Sequence, residues 1–307
     1  MFAVDDSVAL RLEAEHDRAI QTLLMESTMT VLLSRCASYR LSILLSLALL
    51  VSAANCGEEK LKMLDAKCQS LGVCSATEPV RPMVVDVLDD YSIGSTGTAE
   101  HLAAALDPAL RLVGARSGRV RLWMLGTSGA SLSPIGEQVA PSLIGRRNKQ
   151  RARVVEEWIT SAGRYFSVAA APTFAAPPLK KSPLAEAISA IGLYDAGVPS
   201  AERLLIVLSD ARETAVQNFE CGVLPTAGRW MAALDKKGAL QADTLTGVAV
   251  RFAFFSMPAV AGCPTDLRRQ RDVKALWDAA IRRSGGAVVF EAGPPSLGPA
   301  VRLGVSS

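Results

Sequence analysis

Histidine is almost missing: His16 and His101 are the only two in 307 residues. A Ser–His–Asp hydrolase would have to rest on His101 alone, and His101 falls inside an expected helix. Zinc loses its commonest nitrogen ligand, and no second cysteine pair stands at finger spacing to replace it. Aromatic residues are scarce, at 5%, and none interleaves with the basic run GRRNKQRAR from Gly145 to Arg153. Single-stranded nucleic acid therefore lacks its stacking platforms. A one-signed charge excess is missing too: the formal net charge of +3 gives no reason to expect nucleic acid as a partner. The apolar run LSILLSLALLV, Leu41 to Val51, is too short for a comfortable membrane span. No internal repeat is visible. What the chain does have is material for a core, with 50% hydrophobic and 21% charged residues, enough for one large domain or two small ones.

The Leu41–Val51 run follows Arg35 and Arg40 and precedes Ser52, Ala53 and Ala54. A basic region, a short apolar stretch and small residues form a secretory signal; a buried core helix is the alternative. Asp5, Asp6, Glu13 and Glu15 are wrong for the start of such a signal. Residues 1–28 thus read either as an extension upstream of a true start at Met25 or Met29, or as a cytoplasmic tail before a signal anchor. Of the six cysteines, Cys36 would leave with the signal, and Cys56, Cys68, Cys74, Cys221 and Cys263 remain. Lipidation of Cys56 would leave an even set for two disulfides, which export permits. The residues before Cys56 follow a bacterial lipobox loosely, with Asn55 where a small residue is expected, and cleavage after Ala54 reads as well. The expectation is an exported protein, either periplasmic or a membrane-anchored envelope lipoprotein, that touches the membrane only through its N-terminus.

Residues 29–55 are then the signal, 56–81 a short linker, 82–293 the main domain and 294–307 a loose Pro/Gly-rich tail. Cys68 and Cys74 stand close enough to close a small loop within the linker. Strands are expected at Met83–Leu88, Arg119–Leu125, Arg203–Leu208, Gly247–Phe255 and Ala287–Phe290, from short apolar, β-branched runs. Helices are expected at Thr98–Val113, Arg146–Val168, Pro183–Ile191, Thr226–Leu240 and Thr265–Arg283. Pro108 is expected to kink or end the first of these. Residues 126–145 read as loop with at most a short edge strand, and residues 169–181 as an Ala/Pro connector. The alternation implies an α/β fold: a doubly wound, mostly parallel sheet with helices on both faces. Ligands of such sheets bind at the carboxyl ends of the strands, at a topological switch point.

Past the first strand stand Asp90, Tyr91, Ser92, Ile93, Gly94 and Ser95; past RLLIVL stand Ser209 and Asp210; Ser182 opens a helix. Carboxylates and hydroxyls without His or Cys suit a hard cation such as Mg2+. Each also has a plain reading. Asp90, Ser92 and Asp210 are ordinary turn residues, and Ser182 before Pro183 is a good helix N-cap. Asp86 interrupts an apolar strand and either faces a cavity or pairs with an arginine.

These strand ends resemble the von Willebrand factor type A (VWA) domain, the Rossmann-like fold of integrin I domains and many bacterial surface proteins. That family's metal-ion-dependent adhesion site opens with Asp-x-Ser-x-Ser after the first strand. Asp90-Tyr91-Ser92 matches it, Gly94 departs at the third ligand, and Ser95 stands one residue out of register. SPLAEAI puts Ser182 where the family has a threonine before a short helix, and LLIVLSDARET supplies Asp210 at the end of an apolar strand. The similarity spans Pro82 to Glu291. It implies Mg2+ or Mn2+ held by Asp90, Ser92, Ser182 and, through water, Asp210, with a carboxylate of a protein ligand completing the coordination. It also implies that the strands ending near Leu208 and Phe255 are neighbours, which puts Cys221 and Cys263 in adjacent loops as one disulfide, with Cys68 and Cys74 as the other. Lys180 and Lys181 precede Ser182 and offer an alternative, a lysine in the cation's place on Asp90 and a metal-free structural module.

Catalysis is not expected. GTSGAS, Gly126 to Ser131, fails as a nucleophile elbow at its last glycine. Gly94 and Gly97 do not make a dinucleotide fingerprint. DVLDDYS lacks the Asp-x-Asp that a haloacid-dehalogenase-like phosphatase places after its first strand, leaving a phosphatase-like hydrolase as the remaining enzymatic alternative. The run Gly145 to Arg153 reads as a solvated face, with an acidic protein or anionic headgroups as its other possible neighbours.

Overall fold

Seven residues from Met83 to Asp89 are buried without interruption, as the central strand of a parallel sheet must be. In the computed structural model, which describes residues 69–71, 82–93, 97–125, 132–194, 201–219, 222–257 and 267–297, this strand opens a regular alternation. The elements run β1 (Met83–Asp89), α1 (Ala99–Arg116), β2 (Arg119–Met124), β3 (Gly136–Val139), α2 (Asn148–Ala175), α3 (Leu184–Tyr194), β4 (Glu202–Leu208), α4 (Ala227–Lys237), β5 (Val248–Ala253), α5 (Leu267–Arg283) and β6 (Ala287–Phe290). The strands form one sheet in the order β3-β2-β1-β4-β5-β6. All neighbours are parallel except β3, which is antiparallel to β2 at the edge. This is the Rossmann-type order, whose direction of winding reverses beside β1.

Side chains of β1 alternate between two cores. Met83, Val85 and Val87 meet α1 and α2 through Leu102, Leu106, Leu110, Val113 and Phe166. Leu88 lies on the other face, with Ile188 of α3, Trp230 of α4 and Trp277 of α5. Helices therefore cover both faces, as the alternation implied.

Two prolines do not do what their sequence position suggests. α1 runs through Pro108 to Arg116. An interior proline costs roughly 3 kcal/mol, but Leu106, Ala109, Leu110 and Val113 around it are all buried and hold the helix to the sheet. α2 continues through Pro172 to Ala175, taking in most of the expected connector. Alanines at 169–171 favour helix there, and the edge of Tyr91 packs on Phe174 with centroids 5.2 Å apart. At its other end α2 starts at Asn148, two residues later than expected. The side chain of Gln150 accepts a hydrogen bond from the Arg147 N–H at 3.3 Å.

Among the described residues no helix is long and apolar enough to cross a membrane. Cys36, Cys56, Cys68, Cys74, Cys221 and Cys263 lie outside the described residues, as do Gly94, Ser95 and the segment 126–131, so the lipidation site and both disulfide pairings fall there too. The neighbour relation behind one pairing does hold, since β4 and β5 are adjacent and parallel.

Candidate functional site

β1 and β4 flank the reversal in strand order, and their carboxyl ends bring the acidic residues together. The Asp90 N–H donates to the Leu208 carbonyl at 3.1 Å, and the Leu125 N–H donates to the Asp89 carbonyl at 2.9 Å. The turn after β1 is thereby tied to β4 on one side and β2 on the other. Beyond it, Ser92 bridges to Leu179, with Ile93 N–H to Leu179 O at 2.8 Å and Leu179 N–H to Tyr91 O at 3.0 Å. That bridge draws the segment before α3 over the end of β1.

Asp90 is the centre of the cluster and is fully buried. Its Oδ2 accepts from the Ser182 hydroxyl at 2.9 Å and from the Ser209 hydroxyl at 2.6 Å. Both donors come from other elements, so Asp90 ties the segment before α3 and the end of β4 to the end of β1. Ser182 is not capping α3. That task falls to Glu213, whose Oε2 accepts from the Ala185 N–H at 2.7 Å. The other oxygen of Glu213 accepts from the Ala215 and Val216 N–H groups at 2.7 and 3.0 Å. Thr214 completes the lock, its hydroxyl accepting from the Ser182 N–H at 2.6 Å.

Asp210 is close in sequence but differently engaged. Its Oδ1 accepts from the Arg212 N–H at 3.0 Å, and its Oδ2 lies 3.3 Å from Arg212 Nε. The plain turn reading is thus met in part, and a buried ion pair is added to it. Ser92 is half-buried beside the cluster. Lys180 and Lys181 are exposed, and neither forms an ion pair with Asp90 among the described contacts. The four residues expected from sequence therefore fall at one end of the sheet. Asp90 and Ser182 meet directly, Asp210 turns to Arg212, and Ser92 flanks.

Three members were not singled out as ligands. Ser209 was visible at the strand end, directly before Asp210. Asp89 stood in the doublet with Asp90, where strand alternation sends one of two neighbours inward. Glu213 had no local signal, because the helix it caps begins nearly thirty residues earlier in the chain.

Electrostatics set Asp89 apart. Both its carboxylate oxygens are buried and, among the described residues, have no hydrogen-bond partner. Burial first, and then the adjacent Asp90 charge, push its carboxyl well above the usual carboxylate range. Gly97 presses on it from above: a Cβ there would lie 2.2 Å from Asp89 Oδ1 and 2.4 Å from the Asp90 carbonyl oxygen. Burial also pushes Glu213 up to about 7, against the pull of its three N–H donors.

The donor set, judged by its chemistry, fits a small hard cation. It offers only oxygen, and Asp89 is an orphaned buried carboxylate of the kind that a positive charge would satisfy. Among the described residues no three carboxylates, imidazoles or thiols converge, so a cation here would lean on serine hydroxyls and water.

No family model matches the chain, and no curated protein matches it. Solved structures similar to it include the SpRpn10 VWA domain, at 10% identity and TM-score 0.35, over 73% of this chain and 100% of that one. Another is an aerotolerance-related membrane protein from Bacteroides fragilis NCTC 9343 carrying multiple mutations to serines, at 12% identity and TM-score 0.34, over 68% and 90%. A third is the human COPII-coat protein Sec24c, at 8% identity and TM-score 0.31, over 73% of this chain and 31% of that one. The fold class stands independently of these likenesses, on strand order and direction.

Proposed function

We propose that this chain is a non-catalytic, extracytoplasmic binding domain of the VWA type, which takes a carboxylate of a protein ligand at the carboxyl ends of β1 and β4. The observation that carries the reading is the meeting of Ser182 and Ser209 on one oxygen of buried Asp90, beside the partnerless carboxylate of Asp89. Asp90, Ser92 and Ser182 would hold Mg2+ or Mn2+, with Asp210 acting through water and Asp89 supplying charge beneath. The cation, when bound, supplies a positive point for an oxygen of the ligand. The protein's own part is to hold the hydroxyls in register. Thr214 fixes the Ser182 backbone, Glu213 fixes the start of α3, and the Leu179 bridge fixes Ser92. The signal-like segment upstream supports an extracytoplasmic location.

The test is calorimetric titration of the protein with Mg2+ and Mn2+ beside an Asp90→Ala variant. Saturable binding that the variant loses supports the reading. The Asp210–Arg212 pair favours a second one, a metal-free interaction module closed by its own hydrogen bonds. Absence of binding in the parent protein, with partner binding indifferent to chelator, would select that module. Hydrolysis of a generic phosphoester, lost in Asp90→Ala, would turn the assignment to a hydrolase.

A further inference from the structure

The basic run that opens α2 lies at the opposite end of the domain from this site. β3 ends with Val139 beside Arg119, the first residue of β2, and the Ala140 N–H donates to the Gly118 carbonyl at 2.8 Å. The chain from Ala140 to the start of α2 therefore emerges at the amino ends of the parallel strands. Leu143, Ala152 and Val155 pack there with Leu71, against Ala115 near the end of α1.

Arg146, Arg147 and Lys149 are exposed at this edge, and the first turn of α2 contains no acidic residue. Positive charge at a helix N-terminus opposes the helix dipole, so this placement weakens α2 rather than supporting it. Parallel α/β winding brings the last turns of the other helices to the same edge, and α4 ends there with Lys236 and Lys237 exposed. Among the described residues, carboxylates at this edge are largely taken: Glu202 pairs with Arg116 at 2.8 Å, and Asp235 with Arg283 at 2.9 Å, while Asp243 is exposed. Exposed apolar side chains stand at the same edge. Ile144 is 91% exposed, and α3 ends here with Leu193 at 58% and Tyr194 at 53%. The chain also enters the domain here, through Pro82, downstream of the apolar Leu41–Val51 segment.

We propose that this edge docks on an anionic lipid surface, with Arg146, Arg147, Lys149, Lys236 and Lys237 over the headgroups and Ile144 reaching the interface. An excess of cations with interspersed Ile, Leu and Tyr matches a bilayer surface, which is anionic outside and apolar just beneath. Entry of the chain at the same edge leaves that face free to lie toward a surface that holds the N-terminal segment. The acidic site at the far end of the strands then points away from the bilayer, open to a protein partner.

The test is hydrogen exchange on the full chain added to vesicles of phosphatidylcholine alone or mixed equally with phosphatidylglycerol. The N-terminal segment can hold the chain to either kind, so the readout is local. Amides from Ile144 to Arg151 should exchange roughly tenfold more slowly on the anionic vesicles, at about fivefold in affinity per basic residue. The protection should vanish near 1 M salt, where the screening length is about 3 Å. Arg146→Gln/Arg147→Gln/Lys149→Gln should abolish it. Lys181→Gln/Arg268→Gln/Arg271→Gln, which removes equal charge from the site end, should leave it intact. Equal exchange on the two vesicles would overturn the proposal. So would protection by a polyglutamate peptide but not by anionic vesicles, which would give the surface to an acidic protein instead.

Discussion

Arg121 grips Asp86 across the β1–β2 ladder: Nε donates to Oδ1 at 2.7 Å and Nη2 to Oδ2 at 2.9 Å. Trp123 Nε1 adds a third bond to Oδ1 at 2.7 Å, and the Arg121 guanidinium sits 4.8 Å from the centre of the Tyr194 ring. Burial pushes the Asp86 carboxyl up, and these donors pull it back toward ionisation. Asp86→Ala would remove the carboxylate that faces a buried guanidinium and should cost about 3–5 kcal/mol in urea unfolding. Asp86→Leu combined with Arg121→Met removes both charges and should recover most of that loss. A cost below about 1 kcal/mol for the single change, the range of an exposed pair, would show that Asp86 is not what holds the Arg121 charge.

That pair marks where the sequence stopped being readable. Strand β1 was legible because Met83, Val84, Val85, Val87 and Leu88 form a short apolar run, and the alternation of such runs with amphipathic helices implied the doubly wound sheet. The strand-end positions of Asp90 and Asp210 followed from that order. What a side chain meets across the sheet did not follow. From sequence alone Asp86 faces either a cavity or an arginine, and its partner stands on the next strand. Glu213 caps a helix from a distant loop, and the Asp210–Arg212 pair depends on a turn whose conformation no local motif announces. Pro108 and Pro172 misled for a related reason: a local rule about helix breaking was outweighed by burial of the residues around them.

Gly97 owes its place to close approach. A Cβ there would stand 2.2 Å from Asp89 Oδ1, so Gly97→Ala must push the acidic turn away from α1. The overpacking should cost about 1–3 kcal/mol in thermal or urea unfolding. If the site holds a cation as proposed, affinity for Mg2+ should fall by at least about tenfold, a loss of about 1.4 kcal/mol. An Ala variant with unchanged melting and unchanged titration would mean that the turn shifts freely and does not set the site.

Glu213 should give the protein a distinct pH dependence, measured with chelator present. Its folded-state value of about 7 lies above the ordinary 4.5, so the folded protein holds this proton more tightly than the unfolded chain does. Stability from this group is therefore greatest below pH 4.5, falls as pH rises from about 4.5 to about 7, and is level above that. The fall is on the order of 3 kcal/mol. Glu213→Gln should remove that slope, and the difference between the two proteins across the window isolates it from other carboxylates. Glu213→Ala should be worse than either at every pH, because it takes the acceptor from one buried and two part-buried N–H groups. Parallel stability curves for the parent and the Gln variant would place the titration elsewhere.

Asp89 separates the two readings of the site most directly. It is buried beside Asp90 with no hydrogen bond to either oxygen, an arrangement that is unfavourable unless a positive charge arrives or a proton is taken up. Asp89→Asn removes the repulsion and keeps the shape. In chelator at neutral pH it should therefore stabilise the protein, by about 1 kcal/mol or more. If the site holds a cation, the same change must weaken Mg2+ binding, because the charge that destabilised the empty site helped to bind the ion. Stability gained and affinity lost together would tie the acidic doublet to cation binding. A gain in stability with no cation binding in either protein would point the other way. Asp89 would then be held protonated by its surroundings, and the serines on Asp90 would serve to close the end of the sheet.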